Sequence, residues 1–131
     1  MTPNVLYLIL CNDVQSDPTD YSRLNIFGLI TSIRSASLPP FPVVRPSLRA
    51  LVILTSGQGM GELTLRVVED QTGNVIFRTR PRQVRFVGDP KAVLGMLFHI
   101  RNCSFPAAGS YWIEVLYAGS VIARQQLFLK A

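Results

Sequence analysis

The chain is expected to fold as an all-β protein, an antiparallel two-layer sandwich of about seven to nine short strands in one domain over residues 1–131. Three observations predict this. Apolar and polar residues alternate with period 2, as in Leu63, Leu65 and Val67 against Glu62, Thr64 and Arg66. Gly, Pro, Asn and Asp clusters interrupt that alternation every dozen residues or so. No window carries an apolar stripe at helical spacing.

The first strand is Val5 to Cys11, VLYLILC, followed by the polar loop NDVQSDPTDYS. LNIFGLITSIRS comes next, with Gly28 marking a bulge or a close backbone approach. LPPFPVVRP holds four prolines in nine residues, which remove backbone donors, so it reads as a crossing between sheets and not as a ladder strand. LRALVILTS is a third strand and ends at the glycine turn GQGMG. ELTLRVV turns through EDQTGN into Val75 and Phe77, and QVRFVG and LGMLFHIRN follow, with Leu94, Met96, Phe98 and Ile100 on one face.

At the end, Tyr111, Ile113, Val115 and Tyr117 form one face of a strand and Trp112, Glu114 and Leu116 the other. Ala118 to Ser120 turn the chain into VIARQQLFLK. Tyr111, just after the bend FPAAG, has the position of the tyrosine in an immunoglobulin-like sandwich whose hydroxyl caps upstream backbone, so it is expected to be structural. Both faces of several strands are partly apolar, so alternation by itself does not say which face is free.

Composition narrows the function classes. Of the residues, 48% are hydrophobic and 16% charged, against about 25% charged in an average soluble domain, which argues for a folded chain. The longest apolar run is far short of the roughly 20 residues of a membrane span, and MTPN lacks the basic start of a secretory signal; a cytoplasmic protein with no membrane insertion is expected. In that reducing compartment Cys11 and Cys103 read as buried thiols. The net charge of +5 rests on 11 Arg and 2 Lys and admits weak attraction to polyanions.

Each candidate site also has a structural reading. Asp13, Asp17 and Asp20 suggest a calcium loop, but an EF-hand alignment puts Pro18 where glycine is needed and Leu24 where a glutamate belongs. Gly57, Gly59 and Gly61 precede a strand, where a phosphate loop requires a helix. His99 is the sole histidine; with Cys103 four residues on it suggests a thiol–imidazole pair, yet no second metal-ligand pair accompanies it. No catalytic residue, metal or cofactor is therefore assigned, and an enzyme is not expected.

Two surface readings are left. Ile76, Trp112 and Leu116 on the strand face opposite the presumed core suggest a non-catalytic module that binds another protein or a copy of itself. Alternatively, Arg66, Arg78, Arg80, Arg82 and Arg85 form a patch for anions or nucleic acid, competing with the simpler role of charge and Pro81 in guarding a sheet edge.

Together, VLYLILCNDVQSD, LNIFGLITSI and FPAAGSYWIEVLYAGSVIARQQLFL resemble a group of small bacterial proteins of unknown function with an immunoglobulin-like β-sandwich. Those proteins start with a strand ending in Cys-Asp; here Asn12 stands between Cys11 and Asp13. The resemblance implies the fold and a bacterial origin and supplies no catalytic residue.

Overall fold

The computed structural model describes residues 2–20, 23–89 and 91–131. Among these the chain is all β, with ten strands: β1 (Asn4–Ser16), β2 (Leu24–Leu29), β3 (Ser32–Arg34), β4 (Val43–Thr55), β5 (Gly59–Glu69), β6 (Val75–Arg78), β7 (Arg82–Phe86), β8 (Val93–Phe105), β9 (Gly109–Tyr117) and β10 (Ser120–Lys130). They form two sheets. The first has the order β2-β1-β4-β8; the second has the order β3-β10-β9-β5-β6, with β7 also pairing with β5.

The alternation expected from the sequence places the core. Leu48, Ala50, Val52 and Leu54 of β4 face Leu63, Leu65 and Val67 of β5 and the odd-numbered face of β9, all inside one shared cluster of buried residues. Tyr111 is wholly buried there, its ring edge-on to Phe105 at 5.1 Å between centroids. Its hydroxyl donates to the Ala107 carbonyl at 2.7 Å and accepts from the Ala107 amide at 3.2 Å, so the polar end of a buried ring closes the bend before β9.

Three details differ from the sequence reading. The segment 24–35 is two strands in two sheets. Gly28 has φ +66, and the Asn12 side chain occupies the space a Cβ would need. Past it the chain leaves β1, with the Ile30 amide bonded to the Leu10 carbonyl, and enters β3. β3 pairs with β10 in parallel, the one departure from antiparallel pairing among the described residues. The proline connector is also shorter than expected. β4 starts at Val43 and pairs with β8 from Val43↔Phe105 onward, and Pro46 is accommodated at a break in the ladder between Arg45↔Cys103 and Ser47↔Arg101.

Candidate functional site

The outer face of the first sheet carries the clearest surface feature. Pairing fixes which residues share it: Tyr7↔Ile53 and Ile9↔Leu51 across β1 and β4, then Leu51↔Leu97 and Ile53↔Gly95 across β4 and β8. β1 continues past Cys11 to pair with β2, and Val14↔Ile26 and Ser16↔Leu24 of that hairpin line the same hollow. The result is an open groove of about 840 Å³ with Leu51, Ile53 and Leu97 on its floor and Tyr7, Leu24 and Val93 among its walls. Tyr7 is 61% and Val93 62% exposed. Burying apolar surface stabilises by about 25 cal/mol per Å², so a contiguous patch held open to water is costly unless something covers it.

None of the three residues singled out for interaction lies in this groove. On the outer face of the second sheet, Trp112 is half-buried and already engaged: its Nε1 donates to Asp70 Oδ1 at 2.8 Å, and the Arg124 guanidinium lies 4.1 Å from its ring centroid. Beside it Glu114 is almost wholly buried, receiving Arg66 Nε at 2.7 Å with Arg124 Nη1 at 3.8 Å. Leu116 is only 8% exposed, and Ile76 packs against the core cluster. These side chains tie β5, β9 and β10 together across the sheet.

The arginines are distributed over different surroundings. Arg66 belongs to the Glu114 network, and Arg78 pairs with it across β5 and β6. Arg82 turns toward the other sheet, donating from Nη1 to the Leu97 carbonyl at 2.6 Å with its guanidinium 5.2 Å from the centre of the Phe98 ring. Arg80 follows β6 in the connection to β7, and Arg85 lies opposite Met60. Arg82 thus caps a backbone carbonyl of β8, whose ladder partner is β4 alone.

The remaining motifs are structural in their surroundings. The Asp13 carboxylate accepts from the Val14 amide at 2.9 Å and Gln15 at 3.3 Å. Asp17 accepts from the Thr19 hydroxyl and amide, which hold its carboxyl below the usual range, and Asp20 pairs with Arg23 at 3.5 Å. Tyr21 and Ser22 of that loop lie outside the described residues. Among the described residues no three acidic, histidine or cysteine side chains converge as a metal site. The absence of a Cβ at Gly57 makes room for the Phe86 ring, and at Gly61 for the Tyr117 ring.

His99 and Cys103 do not meet as a dyad. Cys103 is in the core, where burial pushes its thiol up to about 12, and Cys11 is likewise buried with its pKa raised, by burial first and by Asp13 second. His99 sits on the outer face of the first sheet, its Nε2 2.7 Å from Ser47 Oγ, a proximity that sequence reasoning missed because the two are 52 residues apart. Arg101 Nε donates to His99 Nδ1 at 3.0 Å, so the ring proton is on Nε2 and is given to the serine. A nucleophilic serine needs the opposite arrangement, with Nε2 free to accept and a carboxylate at Nδ1.

The groove had a sequence signal of a different kind from a motif. VLYLIL, LVIL and VLGMLF are apolar at consecutive positions, whereas a strand with one solvated face alternates. That signal marks β1, β4 and β8 as strands with two apolar faces.

Comparison with known proteins adds a family and a distant structural likeness. A family model described as a family of unknown function (DUF6941) matches residues 6–130. No match was found among curated proteins. Among solved structures, the chain is similar to the Pseudomonas fluorescens alkylpurine DNA glycosylase AlkC bound to DNA containing an abasic site analog, at 10% identity and a TM-score of 0.46. That match covers 95% of this chain and 30% of the glycosylase chain, so this chain spans less than a third of that protein.

Proposed function

The chain belongs to a family of unknown function (DUF6941), and from its surfaces we propose that it is a non-catalytic interaction module whose working surface is the apolar outer face of the β2-β1-β4-β8 sheet. The groove carries this reading: about 840 Å³, bounded mainly by aliphatic side chains, with Tyr7 and Val93 more than half exposed at its rim. Interfaces of this kind bury an apolar centre inside a polar border, and here Arg49, His99 and Arg101 continue the same sheet face beyond Leu51 and Leu97. The orientation of the Ser47–His99–Arg101 chain supports a non-catalytic role, and the Tyr111 corner supports an immunoglobulin-like kinship for the sandwich. The two buried thiols fit a bacterial cytoplasm.

A photo-crosslinking side chain placed at Val93, and separately at Thr64 on the outer face of the second sheet, tests this in living cells. The module reading expects intermolecular adducts from position 93 and few from position 64. Adducts from 64 with none from 93 would move the working surface to the other sheet, and none from either would contradict the reading.

A further inference from the structure

Resting on the reading of this sheet as an interaction surface, we infer that a second copy of the chain joins at its free edge, by antiparallel pairing of β2 with β2, and leaves the groove of each copy open to the module's own partner. The starting point is the state of each sheet edge. β2 pairs with β1 alone and is exposed at every one of its six residues. Its sequence, LNIFGL, holds no charge and no proline. Leu24, Ile26, Phe27 and Leu29 are 41, 38, 48 and 66% exposed. An edge of this kind presents a row of backbone donors and acceptors with nothing to repel an incoming strand.

The other edges are guarded. β8, at the far side of the same sheet, has the Leu97 carbonyl capped by Arg82. In the second sheet, β3 is three residues long, while β6 and β7 are four and five residues long, with Arg78, Arg80, Pro81, Arg82 and Arg85 along them. Short strands, arginines and proline are the usual means of keeping edges apart.

Identical strands suit each other here for two reasons. In a continuous sheet, a two-fold axis normal to the sheet sets a residue opposite itself. Centred on Ile26, it keeps Ile26 of both copies on the groove side and joins the two grooves into one apolar surface. The same axis sets Leu24 opposite Gly28 and Asn25 opposite Phe27, so no like charges face each other across the new ladder.

Sedimentation and hydrogen exchange of the whole chain, each over a concentration series, test the inference. Wild type is expected to form a dimer, and exchange of residues 24–29 should slow about tenfold where nine-tenths of the chains are paired, by mass action. Ile26→Lys should abolish both effects without unfolding the protein. If Ile26→Lys does not fold, Phe27→Lys, on the strand face away from the groove, serves instead. A monomer at all concentrations, or a dimer whose 24–29 amides exchange as in the monomer, overturns β2 pairing. If such a dimer is dissociated by Tyr7→Ser with Val93→Ser, the groove reading survives while the edge inference falls.

Discussion

His99 shows how local placement decides what a side chain can do. Desolvation at the sheet face lowers its pKa first, and the charges of Arg101 and Arg49 lower it further. A neutral ring is therefore favoured in the folded protein, while the unfolded chain takes up its proton near the ordinary value of 6.5. The contribution of His99 to stability is thus complete above that value and is lost as the pH falls from there through the folded pKa. An NMR titration of the ring should give a midpoint below 6.5, and Arg101→Gln should raise it; a midpoint above 6.5 would mean that Arg101 does not donate to Nδ1. Ser47 was invisible as a partner in the sequence because only the β4–β8 register, with Arg49 opposite His99, brings it near. Tyr111 was legible because its role depends on a bend four residues away, a local relation that the spacing in FPAAGSY displays.

At the scale of elements, strands that alternate are legible in the sequence, as β5 and β9 show. Strands apolar on both faces can be located in the sequence but not oriented. In β1, β4 and β8 the pattern is the same whether the outer face is covered or open, so the groove emerges only when three strands lie side by side. Trp112 reads in the sequence as an aromatic on an outer face, yet Arg124 of β10 and Asp70 just past β5 already satisfy it. The glycine-rich turn into β5 has a packing role that sequence could not show. At Gly61 a Cβ would run into the Tyr117 ring and hydroxyl, and inserting a methyl into such a contact costs about 1–3 kcal/mol. Gly61→Ala should lower unfolding stability in urea by that amount, whereas Gly59→Asn, at φ +72 with open space around it, should cost less. Equal losses at the two positions would refute the packing role of Gly61.

For the whole molecule, the two outer faces differ in what covers them. The outer face of the second sheet is closed by its own side chains, with Glu114 held between Arg66 and Arg124. The outer face of the first is apolar, grooved and bounded by the unguarded β2. The basic composition that suggested an anion patch is spread by the fold: Arg82 secures β8, Arg66 secures Glu114, and Arg49 lies on the groove side. Charge was countable in the sequence, but its spatial grouping depends on strand order, which alternation does not encode. Tyr7 and Met60, one on each sheet, offer a matched pair because both are 61% exposed. Hydroxyl-radical footprinting would compare each residue in dilute purified protein and in intact cells. A covered groove predicts that Tyr7 becomes strongly protected in cells while Met60 oxidises as before. Tyr7 labelled equally in both settings would contradict the assignment of this face as the working surface.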